Sequence, residues 1–218
     1  MPVMLQRIHF DDRESWLAGR TAGIGASSAA AAIGMSKWQT NVELWELVTE
    51  KRGGKNTNNS HIDFGQKAEE PIRELFKLKH PEMRITYRPY DILYQDDMPW
   101  LRATLDGEIV TDTPKRYGAK NGVLEVKTAT LATKAQWEEW DSRVPQQYYI
   151  QCLHQLKATG WDFVYLYALL MGQQRWELRE YYIDRDDVSG DIDWLVDKET
   201  AFWGYVERKE KPPLILNF

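Results

Sequence analysis

Two acidic residues and a lysine have the types and the spacing for metal-assisted chemistry. Asp106 precedes a glycine, and Glu125 and Lys127 lie two positions apart in an apolar run. Because successive side chains of a β-strand point to opposite faces, Glu125 and Lys127 would share one face, while Leu124 and Val126 would point to the other. Mg²⁺ and Mn²⁺ prefer carboxylate oxygens, and a neighbouring lysine can polarise the attacking water. The pattern predicts metal-assisted phosphodiester hydrolysis.

The segment between Asp106 and Glu125 is long enough for a loop and a paired strand, so the two carboxylates are expected to converge. Asp106 is expected at a turn out of a strand. The alternative to a metal site is a solvated strand face with a weak cross-strand charge pair. A Glu-x-Lys pattern is common in strands of that kind. The apolar neighbours of Glu125 favour a partly buried strand, where a carboxylate needs a partner.

Composition narrows the class of protein. The chain has 218 residues, 43% of them hydrophobic and 28% charged, as expected for one soluble globular domain over residues 1–218. Because it has neither an apolar run of membrane-spanning length nor a signal pattern after Met1, we expect no membrane association and a cytoplasmic location. A single cysteine, Cys152, excludes an internal disulfide framework and argues against a cysteine-held zinc or iron–sulfur site.

The net charge of −5 does not indicate nucleic-acid binding, which leaves a basic footprint. A local basic patch opposite an acidic metal site remains compatible with it. Lys115, Arg116 and Lys120 lie in one polar loop. They form either a patch that contacts a DNA backbone or a solvated hairpin end.

A glycine-rich segment near the N-terminus is a candidate anion site. Arg20 precedes the run from Gly23 to Ser28, which leads into an alanine-rich helix that ends at Gly34. With Ser27 or Ser28 as its N-cap, this helix would present free backbone N–H groups to a phosphate beside Arg20. The alternative is tight packing of a small alanine-rich helix against a sheet.

Two longer helices supply further polar candidates. The first runs from Ile62 to Leu78, and Pro71 predicts a helix start or a kink near Glu69 and Glu70. Glu69 is expected to face the metal site, and Glu70 is expected at the surface.

The second helix opens at Pro145 and places Tyr148, Gln151 and Gln155 on one face. This stripe either hydrogen-bonds a phosphate, a metal-bound water or a carboxylate, or it faces solvent. Cys152, in the same helix, is expected to be a small core residue.

The remaining pattern predicts an α/β fold with a central mixed β-sheet flanked by helices. The expected elements are strands at Ile85–Tyr94, Trp100–Thr104 and Phe163–Met171, a hairpin partner that includes Trp176, and helices at Leu131–Trp140 and Ile192–Val206.

Taken in order, these motifs resemble the lambda-exonuclease-type phage recombinases, the YqaJ-like viral recombinase family. The residues that carry the resemblance are Arg20, Gly23 to Ser27, Gly34, Trp38, Gly65 to Pro71, Asp106, Gly107, Glu125 to Lys127, Tyr148, Gln151 and Gln155. The resemblance covers roughly Trp16 to Tyr167 and implies a restriction-endonuclease-like core with a PD-(D/E)xK active site. Leu105 stands where that label has proline, a position that is not a ligand.

The resemblance also implies an activity. Such proteins digest one strand of duplex DNA from a 5′ end, release mononucleotides and leave a 3′ single-stranded overhang for recombination. Asp106, Glu125 and the Val126 carbonyl would bind Mg²⁺ or Mn²⁺, with two ions in each active site. Lys127 would orient the attacking water. Glu69 would be a second-metal or water-mediated ligand.

Further residues and partners follow from the resemblance in the same way. Gln151 or Gln155 would lie at the metal site, beside Tyr148, and Arg20 and Ser27 would receive the 5′-phosphate. The family implies a ring-shaped homotrimer, a single-strand annealing protein as partner, and a phage or prophage origin in a bacterial host.

Two other functions remain open. An endonuclease on the same fold would keep Asp106, Glu125 and Lys127 without needing a 5′-phosphate pocket. A DNA-end-binding recombination accessory would need no catalysis, and therefore no set of metal-ligand carboxylates.

Overall fold

The computed structural model describes residues 3–50, 60–111, 120–141 and 143–215, and they form nine β-strands and seven α-helices. The strands are β1 (Leu5–His9), β2 (Ile24–Gly25), β3 (Met83–Thr86), β4 (Asp91–Gln95), β5 (Leu101–Arg102), β6 (Gly107–Thr111), β7 (Asn121–Thr130), β8 (Phe163–Met171) and β9 (Trp176–Asp184). The helices are α1 (Arg13–Arg20), α2 (Ala29–Ala32), α3 (Asn41–Glu50), α4 (Ser60–Lys79), α5 (Lys134–Glu138), α6 (Gln146–Thr159) and α7 (Ser189–Arg208). Of the basic loop residues singled out above, Lys115 and Arg116 lie outside the described residues.

The main sheet has five strands in the order β3-β6-β7-β8-β9. β7 and β8 are parallel, and the other neighbours are antiparallel. A parallel pair needs a long crossover connection, which α5 and α6 supply here. β1 with β4 and β2 with β5 form two smaller two-stranded sheets. The predicted mixed sheet flanked by helices is therefore confirmed.

The central strand β7 separates two cores. Val123 belongs to the larger hydrophobic cluster, on the side of α6. Leu124 and Val126 pack with Phe76 of α4 in the second cluster. Because side chains alternate along a strand, Glu125 faces the α6 side with Val123. The predicted division of faces in this strand is confirmed.

The prediction of one strand over Ile85–Tyr94 is wrong, because this segment contains the end of β3 and the start of β4 with a turn between them. Pro89 has no N–H to donate to a ladder, and Tyr90 adopts a φ of 62°, in the left-handed region. The strand predicted at Trp100–Thr104 is reduced to β5, after which a single bridge joins Ala103 to Leu93.

The helix start considered near Glu69 and Glu70 is not found, and the helix predicted at Leu131–Trp140 is shorter than predicted. α4 continues through Pro71, so no helix starts there. Proline costs a helix about 3 kcal/mol, whereas burial of Ile72 and Phe76 stabilises it by about 1.5–3 kcal/mol each, which outweighs that cost. α5 begins only after Thr133, whose side chain and that of Gln136 form a capping box. Leu131 instead extends the sheet, because its N–H donates to the Met171 carbonyl.

Helix α6 begins after Pro145 and ends at Gly160, whose φ of 70° suits glycine, as predicted. Across the described ranges, no helix is both long enough and apolar enough to cross a bilayer.

Candidate functional site

The candidate site begins where β6 and β7 pair. Asp106 lies in a bend between β5, which ends at Arg102, and β6, which begins at Gly107, so the predicted turn is present. Gly107 pairs with Leu124 in this register. The Val126 N–H donates to Asp106 Oδ2 at 2.8 Å, which fixes this carboxylate against the centre of β7.

Glu125 is 2% exposed, and three donors surround its carboxylate. Lys127 Nζ lies 2.6 Å from Oε1, and Gln151 Nε2 donates to the same oxygen at 2.6 Å. Gln155 Nε2 donates to Oε2 at 2.5 Å. Burial of a carboxylate is costly without partners, and these contacts offset that cost. The face shared by Gln151 and Gln155 is therefore directed at a carboxylate and not at solvent.

The charges of this cluster act on one another. Burial raises the pKa of Asp106 well above its usual value, and the charges of Glu125 and Glu69 raise it further. Burial, followed by the Glu125 charge, also raises the pKa of Glu69. Although burial opposes the ammonium form of Lys127, Glu125 and Asp106 raise the pKa of that lysine. The charges of Glu125 and Lys127 therefore act on Glu69, which is half-buried, whereas Glu70 is exposed, as predicted for Glu70.

The donor set fits a hard divalent cation in its chemistry. Burial and the neighbouring negative charges raise the pKa values of Asp106 and Glu69, so both carboxyl groups resist ionisation when no cation is present. Bound Mg²⁺ or Mn²⁺ would offset the repulsion between the carboxylates. Within the described part of the chain, however, no three Asp, Glu, His or Cys side chains are close enough to form a ready ligand group.

The proposed anion residues lie beside this cluster. Arg20 ends α1, and its Nη2 lies 3.4 Å from Oγ of Ser27, which is exposed in the 3₁₀ turn Ala26–Ser28. The guanidinium carbon of Arg20 lies 4.7 Å from the ring centroid of Trp16. Burial lowers the pKa of Arg20, and the Asp106 charge opposes that shift. Arg20 is thus within electrostatic reach of Asp106.

The short alanine-rich helix of the anion-site prediction is present, with Ser28 as its N-cap and Gly34 just after its end, as predicted. α2 has four residues, and its N-cap Ser28 makes no side-chain capping bond. Four residues are too few for a substantial helix dipole. Any anion affinity at this position therefore depends on Arg20 and Ser27.

Sequence reasoning missed Arg73. Its Nη1 donates to the Asp106 backbone carbonyl at 2.5 Å, and its guanidinium carbon lies 4.0 Å from the Tyr87 ring centroid. Arg73 is 5% exposed and lowers the pKa of Glu69 by its charge. The available signal was its position one helical turn after Glu69 in α4.

Tyr148 and Cys152 also lie close to the cluster. Lys127 Nζ is 5.4 Å from the centroid of the Tyr148 ring. Cys152 is fully buried, and burial raises the pKa of its thiol. It is a core residue, as predicted, and a thiol in this state is a poor nucleophile.

Known proteins share this sequence pattern. A family model for the YqaJ-like viral recombinase domain matches residues 15–162. The uncharacterized protein YqaJ of Bacillus subtilis (strain 168) is 29% identical over 192 residues, which cover 88% of this chain and 55% of that protein. This chain thus spans about half the length of that relative.

Solved structures share the fold. The crystal structure of an alkaline exonuclease, LHK-Exo from Laribacter hongkongensis, aligns with a TM-score of 0.64 at 18% identity, over 90% of this chain and 94% of that one. The structure of LHK-Exo in complex with dAMP aligns with the same TM-score at 17% identity, with the same coverage. The fold is restriction-endonuclease-like, as predicted. Because the family model covers more than half of its length, the chain belongs to the YqaJ-like viral recombinase family.

Proposed function

We propose that this chain is a metal-dependent 5′-to-3′ exonuclease that digests one strand of duplex DNA from a 5′-phosphorylated end. It would release mononucleotides and leave a 3′ overhang for recombination by strand annealing. One observation carries the proposal: Arg20 Nη2 lies 3.4 Å from Ser27 Oγ, and the charge of Asp106, whose carboxylate is hydrogen-bonded to β7 beside Glu125, acts on this guanidinium. A cationic end-binding group beside a hydrolytic centre accounts for cleavage close to a 5′ terminus.

Each residue has a role that follows from its contacts. Arg20 and the Ser27 hydroxyl would bind the terminal phosphate by charge-assisted hydrogen bonds. Lys127 remains protonated near neutral pH because Glu125 and Asp106 raise its pKa, so it cannot accept a proton. It would instead orient the attacking water and stabilise the negative charge that develops on it.

Asp106, Glu125, Glu69 and the Val126 carbonyl would hold Mg²⁺ or Mn²⁺, as two ions in each site. When bound, the ions supply Lewis-acid stabilisation of the attacked phosphate. Gln151 and Gln155 would keep Glu125 in position through the hydrogen bonds described above.

The similarity to an alkaline exonuclease, one crystal form of which contains dAMP, supports a nuclease that acts on deoxynucleotides. Family membership supports the rest of the proposal: DNA ends as substrate, a single-strand annealing protein as partner, a ring-shaped homotrimer, and action in the cytoplasm of a bacterial host.

The test uses linear duplex DNA with 5′-phosphate or 5′-hydroxyl ends, in Mg²⁺ or in EDTA, with closed circular DNA as control. Wild-type protein runs beside Lys127→Ala and the matched control Lys134→Ala, whose ammonium is exposed on α5. We expect mononucleotides from phosphorylated ends in Mg²⁺, with a loss of about 10²- to 10³-fold in Lys127→Ala, the range for removal of one group that stabilises developing charge.

The other outcomes point to the other functions. Cutting of circles would favour an endonuclease that uses Asp106, Glu125 and Lys127 without the 5′-phosphate pocket. End binding without hydrolysis under any condition would favour a non-catalytic recombination accessory.

A further inference from the structure

A cavity of about 510 Å³ opens at the C-terminal end of β7, directly beyond the catalytic lysine. Thr128 and Thr130 of β7 line it, and so does Tyr148, whose ring lies 5.4 Å from Lys127 Nζ. The candidate active site and the cavity therefore share a wall. A volume of this size falls within the range of about 300–1,000 Å³ typical of small-ligand sites.

Aromatic side chains form the other walls of this cavity. Trp140 is packed into the core, but Trp38 is 71% exposed and Phe64 is 41% exposed. The ring centroids of Trp38 and Tyr148 are 6.5 Å apart and the rings are inclined by 40°, so the two are not stacked on each other. An exposed tryptophan at the mouth of a cavity presents a flat apolar surface, which a planar ligand can cover.

The charged groups in the cavity are already paired. Among the described residues that line it, Lys37 and Glu139 are the charged ones, and Lys37 Nζ lies 3.3 Å from Glu139 Oε2. The charges of these two lining residues cancel, so the cavity suits an uncharged planar group.

A polar atom without a partner lies close to the cavity. Oε1 of Gln147 is buried and has no hydrogen-bond partner in the described part of the chain. This oxygen has almost no accessible surface, so it lies beneath the cavity wall and a ligand in the cavity does not contact it in this arrangement. Gln136 differs, because its Oε1 already accepts from the backbone N–H groups of Ala132 and Thr133.

We propose that this cavity is a nucleobase subsite, in which the base of a nucleotide next to the scissile phosphate stacks on Trp38. The inference rests on the proposed function, because it needs DNA at the adjacent centre. An aromatic platform of this kind tolerates any base, since every base has a π-face, and this would suit an enzyme that removes successive nucleotides of any sequence.

The experiment measures binding without cleavage. The probes are 5′-phosphorylated duplexes in EDTA, with a single abasic site placed at each of the terminal nucleotides in turn. Wild type, Trp38→Ala and Trp38→Phe are compared with Trp194→Ala, a control on α7 whose tryptophan is 43% exposed and does not line the cavity. Thermal unfolding of each variant checks that it is folded.

We expect Trp38→Ala to weaken binding of intact DNA by about 5- to 100-fold, the range for loss of one stacked base, with Trp38→Phe intermediate and Trp194→Ala unchanged. One abasic position should weaken wild-type binding by a similar factor and have no further effect in Trp38→Ala, because both changes remove the same contact.

Equal binding by wild type and Trp38→Ala, with the same abasic sensitivity, would overturn the inference. So would a fall in the assembly mass of Trp38→Ala, measured by light scattering, because Trp38 would then lie between copies of the chain. Hydrolysis in Mg²⁺ is scored separately. A wild-type protein that binds through Trp38 but does not cleave would refute the proposed nuclease and leave the subsite standing.

Discussion

Gln155 donates its side-chain amide to Oε2 of Glu125 across 2.5 Å, in an interior where Gln155 is 0% and Glu125 is 2% exposed. The remaining amide oxygen of Gln155 has no partner among the described residues. A fully buried glutamine that makes one short hydrogen bond to a carboxylate restricts the orientation of that carboxylate.

Gln155→Met should lower the free energy of unfolding by about 1–3 kcal/mol, because it leaves part of a buried carboxylate without a donor. It should also weaken Mg²⁺ binding by about 10- to 100-fold, the usual effect of losing a group that orients a metal ligand. Urea unfolding and calorimetric Mg²⁺ titration measure the two effects. Gln173→Met, in an exposed turn, is the matched control. Unchanged Mg²⁺ affinity in Gln155→Met would contradict the positioning role.

Arg20→Ala should reduce the preference for 5′-phosphorylated over 5′-hydroxyl ends by about 10- to 100-fold, because a hydrogen bond to a charged group is lost. The measurement is the ratio of initial digestion rates on the two substrates. Arg13→Ala, at the exposed start of the same helix, should keep the wild-type ratio. If Arg20→Ala also keeps the wild-type ratio of digestion rates, the 5′-phosphate is bound elsewhere.

The metal-free protein should become less stable as the pH rises, owing to Asp106. Burial and the Glu125 charge raise the pKa of Asp106 above its unfolded value. The folded state therefore binds this proton more tightly, so the contribution to stability is complete below the unfolded pKa and is lost as the pH rises through the raised pKa.

In EDTA, the free energy of unfolding of wild type should fall over that window, whereas that of Asp106→Asn should fall less. Mg²⁺ should restore the stability of wild type, bind more weakly as the pH falls, and release protons on binding. Urea unfolding at a series of pH values, with and without Mg²⁺, tests this. Identical pH profiles for the two proteins would show that Asp106 is not the group responsible.

A second buried pair joins α6 to α7 away from the candidate site. His154 Nδ1 lies 2.7 Å from Glu199 Oε1, and His154 Nε2 lies 3.0 Å from the Arg102 carbonyl. His154 and Glu199 are both 0% exposed. Both partners of the imidazole offer oxygen atoms, and the pair is closed off from solvent.

Glu199→Leu alone should lower the free energy of unfolding by about 3–5 kcal/mol, because it leaves a buried histidine without its carboxylate. His154→Leu combined with Glu199→Leu should recover most of that loss, since no unpaired charge remains. Denaturant unfolding of the three proteins measures the coupling. Additive losses in the double variant would contradict a paired arrangement.

The sequence by itself determined the local features of this protein. The alternation around Glu125 predicted which residues of β7 share a face, and Pro145 and Gly160 predicted the two ends of α6. These outcomes follow from side-chain periodicity and from the backbone preferences of proline and glycine, which act over a few residues. The same patterns left open a helix start at Pro71, whereas α4 runs through it, because the burial of Ile72 and Phe76 offsets the local cost of proline.

Only the tertiary structure decided how distant residues meet. The hydrogen bonds of Gln151 and Gln155 to Glu125 depend on the crossover that brings α6 onto the face of β7. The hydrogen bond from Arg73 to the Asp106 carbonyl depends on how α4 packs. The charge interaction between Arg20 and Asp106 depends in the same way on the position of α1. Spacing along the chain cannot predict such contacts, because they form between segments whose relative positions are set by burial of the whole core.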